Sequence, residues 1–254
     1  MYFRTKNINI LTFSFTSVNF SEVRVIYMFF LATIIYDSFP DELMKPIPSI
    51  IAALRQRQGK TMLEELREHT PFQILVATVM SARTKDTTTM PIAEKLFQTY
   101  KVPSDFLSLS DTQLEQLLFP IGFYRTKARA IKKLCAVLIE KYHSDVPHSF
   151  EELVELPGVG PKTANCVLAY AFRVPAIPVD IHVHRISNRI GLVATTTPEK
   201  TEAALKKVVP VDYWLDINEL FVVHGQTICF PRKPNCSACP ILQWCDYGLN
   251  QDVR

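Results

Sequence analysis

Glycine is scarce in this chain, with seven in 254 residues. That excludes collagen-like and glycine-rich low-complexity architectures, and it makes any close pair of glycines informative. Gly158 and Gly160 are such a pair. No apolar run reaches the ~20 residues that a membrane-crossing helix needs. The longest, Val25 to Tyr36, falls short. No run of alternating polar and apolar residues reads as a strand, and no repeat of solenoid period is present. Net charge is nearly absent too: a formal +3 cannot argue for nucleic-acid binding, which must come from local clustering. Six cysteines in a chain this long are no disulfide scaffold. The expected setting is a reducing intracellular compartment, cytoplasm or nucleoid, with organellar targeting left open.

What is present supports a core: 48% of residues are apolar and 21% charged. Residues 1–46 are atypical, rich in Phe, Ile, Asn and Ser, and read as an extension upstream of a true start at Met28 or Met44. From Pro46 onward the signals are helical. Thr70-Pro71-Phe72-Gln73, Ser110-Asp111-Thr112-Gln113 and Ser149-Phe150-Glu151-Glu152 read as capping boxes, and Thr197-Pro198-Glu199 as another helix start. Ala164, Val167, Leu168 and Ala171 follow the spacing of a buried helical face. The expected fold class is all-α.

Two motifs carry chemistry. Near the C-terminus, Cys229, Cys236, Cys239 and Cys245 are spaced C-x6-C-x2-C-x5-C. Four thiolates this close suit a metal centre, either an iron–sulfur cluster or structural zinc, although a zinc ribbon normally pairs two tight knuckles. Cys135 and Cys166 lie in apolar stretches and read as plain buried thiols. Upstream, Leu156-Pro157-Gly158-Val159-Gly160-Pro161-Lys162 joins two helices by a tight turn. The glycines open backbone angles closed to other residues and let a phosphate approach, and the following helix N-terminus adds free N–H groups. An ordinary helix–turn–helix corner is the alternative. Lys162 occupies the second helical position; read in isolation it is a phosphate contact or a solvated surface charge, while the positive dipole end, along with burial or nearby cations, is expected to lower its pKa toward nucleophile range. Eighteen residues on, a proline-stiffened loop ends at Asp180, either a plain N-cap or a carboxylate fixed near that amine.

LPGVGPKTANCVLAYAF, then VPAIPVDIHVHRISNRIGL, then the four cysteines, together resemble the helix-hairpin-helix DNA glycosylase superfamily, specifically endonuclease III. The resemblance covers residues 47 to 250. It implies two all-helical lobes: a six-helix barrel over 64–174, and a lobe from 47–63 plus 175–254 holding a [4Fe–4S] cluster on the four cysteines. Double-stranded DNA with a damaged base or abasic site would bind in the cleft between them, to a monomer and with no membrane involved. Lys162 would be the Schiff-base nucleophile and Asp180 the catalytic carboxylate. A base flipped out of the duplex would be expelled and the strand cut on the 3′ side by β-elimination. The implied activity is a bifunctional glycosylase and AP lyase for oxidised pyrimidines. Alternatives are a mismatch-directed uracil, thymine or adenine glycosylase, and a non-catalytic iron–sulfur DNA-binding protein.

Further residues take expected roles from the same resemblance. Phe123, in Ile121-Gly122-Phe123-Tyr124, would wedge into the duplex, with core packing as the alternative. Arg83 stands where relatives carry Gln, in the segment that fills the gap left by the flipped nucleotide. An arginine there donates to guanine acceptors but offers no amide carbonyl, so opposite-base preference is open. Asp86 reads equally as a helix-start carboxylate or a site residue. Gly158, Gly160 and Lys233, the last in a basic loop between cysteines, are the expected phosphate contacts. Arg125, Lys127, Arg129, Lys132 and Lys133 are read as part phosphate-facing and part solvated helix surface.

Overall fold

The computed structural model describes residues 45–56 and 59–250. The readings placed on residues 1–44, including the Val25–Tyr36 run and the start at Met28 or Met44, lie outside them. The described residues are all-helical, without a strand. No helix among them is long and apolar enough to cross a membrane.

The described residues begin with α1 (Ile47–Leu54) and a short α2 (Met62–Glu65), followed by α3 (Pro71–Ser81) and α4 (Asp86–Thr99). Thr70 caps α3 with the full expected box: its hydroxyl accepts from Gln73 N–H and the Gln73 side chain returns to the Thr70 N–H. Every residue from Phe72 to Met80 is buried, which explains an apolar run with little periodicity: α3 is the central helix, covered on all sides. Helix α7 (Tyr124–Tyr142) packs on α3, and α5 (Pro103–Ser108) and α6 (Asp111–Leu118) pack on α7, with α6 capped by Ser110 in a second complete box. The third expected box is half made. Ser149 accepts from Glu152 N–H and so caps α8 (Phe150–Glu155), but the Glu152 carboxylate takes the Ser149 hydroxyl instead of the backbone N–H.

Then come α9 (Pro161–Ala171), α10 (Ile181–Arg189), α11 (Pro198–Val208), α12 (Trp214–Thr227) and α13 (Asp246–Leu249). Eleven residues alone would be marginal as a helix, so α9 depends on packing. Val167 and Leu168 are buried against α3, each contributing roughly 1.5–3 kcal/mol of transfer free energy.

Buried apolar residues form two clusters. One runs from Met62 to Ala176; the other joins Ile47–Leu54 to residues from Ile177 to Cys245. Polar bonds stitch the seam. Tyr170 donates to Asn218 at 3.0 Å, Asn165 donates to Glu202 at 2.8 Å, and Arg67 pairs with Glu219; Asn218 is held in turn on its own side by donating to the Pro178 carbonyl at 2.7 Å. Lys162 belongs to a helix of the first cluster and Asp180 opens a helix of the second, so the seam runs through the candidate site.

Candidate active site and thiol pocket

The turn before α9 is built on a difference between its two glycines. Gly158 has φ +82, and a Cβ there would lie 3.1 Å from that of Ala130, so both conformation and space require glycine. Gly160, the N-cap of α9, has φ −102 and nothing within 4 Å of its missing Cβ. The expectation that both glycines supply forbidden backbone angles therefore fails for Gly160. What its bare backbone leaves is open access at a helix N-terminus.

Pro161 takes the first position of α9 and Lys162 the second, half-buried. Asp180 caps α10: its Oδ1 accepts from the N–H groups of His182 and Val183, each at 2.8 Å. Capping and the proximity to Lys162 are compatible, because the cap uses one carboxylate oxygen and so fixes the other in place. The structure brings Lys162 and Asp180 into one electrostatic group with Asp86, so the carboxylate left open at the start of α4 lies beside the candidate nucleophile.

Three members of that group were not read from the sequence. Cys166, one turn beyond Lys162 on α9, sits beside the amine, so it is not the plain core thiol expected. Its i+4 position was the available signal. His182 and Gln226 adjoin Asp86, and no sequence spacing links Gln226 to α4.

The expected lowering of the Lys162 pKa is also overturned. The amine is held above the ordinary lysine value: the Cys166 sulfur acts most strongly, burial opposes it, and Asp180 and Asp86 add to the rise. Burial works in the direction expected, but acidic neighbours outweigh it. Burial raises both the Cys166 thiol and the Asp86 carboxyl above their ordinary values. Lys162 thus rests as an ammonium beside the carboxyl groups of Asp180 and Asp86. An attack on carbon must begin with loss of that proton, and the carboxylates beside it can receive one.

Among the five residues expected to meet DNA, four stand in left-handed backbone: Arg83 at φ 56, Phe123 at 59, Lys233 at 51 and Gly158 at 82. Such angles are uncommon for residues with a Cβ, and they gather where a turn must present a side chain outward. Phe123 is 66% exposed and Arg83 and Lys233 are exposed, so core packing is excluded for Phe123. The basic run divides differently from expectation. Lys127 is buried, and Lys132 donates to the Leu109 carbonyl and pairs with Asp111, so neither is a free phosphate contact or a solvated charge.

Cys229, Cys236, Cys239 and Cys245 line a single pocket otherwise walled by Ile186, Ile190, Ile241 and their neighbours. N–H donors reach two of the sulfurs: Arg189 donates to Cys229 Sγ at 3.3 Å and the Gly248 N–H to Cys245 Sγ at 3.4 Å. Burial pushes the Cys239 thiol up to about 11 and raises that of Cys245, so a bound cation would be needed to hold these sulfurs as thiolates. Among the described residues, no three His, Cys, Asp or Glu side chains converge tightly enough to hold a single ion. Four thiols around one apolar pocket, with donors aimed at sulfur, fit a larger thiolate-bound cluster. Helix α10 links this pocket to the candidate active site, since its first residues are capped by Asp180 and its last, Arg189, also donates to the carbonyls of Phe230 and Pro231.

A glycine hairpin, a half-buried lysine beside a helix-capping aspartate, and a four-cysteine pocket on one helical frame define the class of helix-hairpin-helix base-excision proteins. A model of HhH-GPD superfamily base excision DNA repair proteins matches residues 76–211. Endonuclease III of Thermotoga maritima is 46% identical over 181 residues, covering 71% of this chain and 85% of that protein. A solved structure of a trapped endonuclease III–DNA covalent intermediate is similar with a TM-score of 0.70 and 37% identity, over 81% of this chain and 97% of that one. A thermostable thymine-DNA glycosylase structure also gives 0.70, at 26% identity, over 80% of this chain and 95% of that one. The chain belongs to the endonuclease III family of the HhH-GPD superfamily.

Proposed function

We propose that this protein is an intracellular, bifunctional DNA glycosylase and AP lyase of base excision repair, acting on oxidised pyrimidines in duplex DNA. The observation that carries the reading is the placement of Lys162 beside Asp180 and Asp86 at the seam between the two buried clusters. The thymine-DNA glycosylase likeness supports a second reading, a mismatch-directed glycosylase on the same fold. A lysine poised for an imine favours the lyase.

In the proposed mechanism the damaged nucleotide is turned out of the stack and its C1′ brought to the Lys162 amine. Asp180 assists loss of the Lys162 proton, which passes on to the departing base, so that its fixed carboxylate is ionised as positive charge develops on the sugar. The amine then bonds to C1′ as the C1′–base bond breaks, the electron pair leaving with the base. Ring opening gives an imine, loss of a C2′ proton breaks the C3′–O bond, and water releases the lysine. The lobes are assigned as 64–174 for the barrel and 47–63 with 175–254 for the other. A [4Fe–4S] cluster on the four cysteines would rigidify the second lobe, including the loop carrying Lys233; bond cleavage belongs to Lys162 and Asp180.

The test is borohydride trapping on a duplex with an abasic site. A covalent adduct is expected from the intact protein and none from Lys162→Ala. Asp180→Asn, which can still cap α10, should fold normally but lose on the order of 10²–10⁴ in rate. An adduct of equal yield from Lys162→Ala would overturn the assignment.

A further inference from the structure

Lys127 is a buried lysine, 7% exposed, whose ammonium has no part in the chemistry above. It sits in the first turn of α7, directly after the turn that carries Phe123, and its backbone N–H donates to the Phe123 carbonyl at 3.0 Å. Its side chain points to the other exposed turn. Nζ donates to the Met80 carbonyl at 2.7 Å and to Thr84 Oγ1 at 2.9 Å. Met80 lies in the last turn of α3, where carbonyls lack intrahelical partners and the helix end is negative, so an ammonium suits the position. Thr84 follows Arg83 directly.

The two turns also touch without the lysine. A Cβ on Gly122 would lie 3.2 Å from Thr84 Oγ1 and 3.5 Å from the Arg83 carbonyl oxygen. Both tips, Arg83 and Phe123, hold left-handed backbone, and such residues persist only where their surroundings over-determine them. One ammonium reaches a helix end and one tip through its side chain, and the other tip through its backbone.

We infer that Lys127 is a positioning residue for entry into the duplex: it locks the Arg83 turn to the Phe123 turn so that the two tips meet DNA as one rigid unit. This rests on the reading of those tips as the parts that occupy the helix when a nucleotide leaves it. Burial pushes the Lys127 amine down to about 8, so at neutral pH it is still the charged donor this role needs. Without it, each tip would sample conformations of its own and the duplex would be opened less often, while Lys162 on α9 and Asp180 at the start of α10 would keep their geometry.

The experiment uses the full, cluster-loaded chain and a duplex with 2-aminopurine opposite an abasic site. Lys127→Met keeps the stem and removes the charge; Thr84→Val removes one acceptor and guards against a folding defect in the first variant. The expected result is a weaker rise in 2-aminopurine fluorescence for both, with KM on the duplex up on the order of tenfold for Lys127→Met and less for Thr84→Val. Borohydride adduct formation on single-stranded abasic DNA should change less than about twofold, since no stack has to be entered. Unchanged fluorescence and KM in a folded Lys127→Met would overturn the inference, as would an equal loss on single-stranded DNA. Failure of wild type to form any adduct would instead strike the lyase reading, and the fluorescence comparison would still decide this one.

Discussion

The imidazole of His182 lies where a side chain on Gly225 would have to go. A Cβ there would come within 2.4 Å of His182 Nδ1. Gly225 is in the last turn of α12 and His182 in the first turn of α10, so this contact sets how closely the Asp180-capped helix end approaches α12. Arg185 reinforces it, with Nη2 3.1 Å from His182 Nδ1 and donating to the Cys229 carbonyl at 2.8 Å.

An alanine in mid-helix is ordinarily worth about 0.5–1 kcal/mol over glycine. At position 225 the overlap reverses that sign. Gly225→Ala is expected to destabilise by roughly 1–3 kcal/mol, as overpacked sites do, and to slow strand cleavage by displacing His182 and the Asp180 cap. Urea melts beside a single-turnover cleavage assay check both effects. A variant more stable than wild type would contradict the contact.

The two hairpin glycines should part company. Gly158→Ala combines a left-handed φ with a 3.1 Å contact and is expected to cost about 1–3 kcal/mol of stability. Gly160→Ala has ordinary φ and open space, so its melting should stay within about 0.5 kcal/mol of wild type. Its duplex affinity should nevertheless fall, because the added methyl occupies the approach to the α9 N-terminus. Melting curves and salt-dependent binding separate the two.

Cys166 tests the proton balance of Lys162. The sulfur is the strongest of the groups raising the amine, so removing it should let the amine lose its proton at lower pH. A nucleophile is active as the free amine, so the rising limb of the lyase pH–rate profile should move to lower pH in Cys166→Ala. An unmoved limb, or one moved upward, would show that the thiol does not act on the amine. Stability should fall only by the small cavity left, about 1–2 kcal/mol.

Loss of one pocket thiol should be felt far from it. Cys239→Ser is expected to purify with much reduced iron and sulfide content and a lower melting temperature. Trapping by Lys162 should survive in whatever fraction stays folded, since the lysine acts on carbon directly. Iron analysis alongside adduct yield per folded molecule checks this. Full iron content in the variant would remove Cys239 from the ligand set.

Much of the helical frame was written locally. Thr70 and Gln73, Ser110 and Gln113, and Pro161 set their helix starts through interactions within one turn, and such short-range bonds are visible in the chain itself. The Ser149 box was only half legible because Glu152 had a second choice of partner, the Ser149 hydroxyl, at the same distance along the chain. Lys162, Asp180 and the four cysteines were picked out by the short motifs around them, and the structure gathers Asp180 beside Lys162 and the four thiols around one pocket.

Other features depended on groups far apart in the chain. Asp86 joins Lys162 across 76 positions and Gln226 joins Asp86 across 140, by subtraction of their numbers, and no periodicity reports such pairs. The direction of the Lys162 shift followed from three acidic neighbours drawn from α4, α9 and the α10 cap, which outweigh the burial that sequence reasoning anticipated. Lys127 read as one member of a basic run, part phosphate-facing and part solvated, and only the packing of α7 on α3 turned it inward to a helix end. The sequence by itself determined which residue types and turns were present. Only the tertiary structure decided their charge states and partners, because a buried group's electrostatics depend on everything within a few ångströms, whatever its distance along the chain.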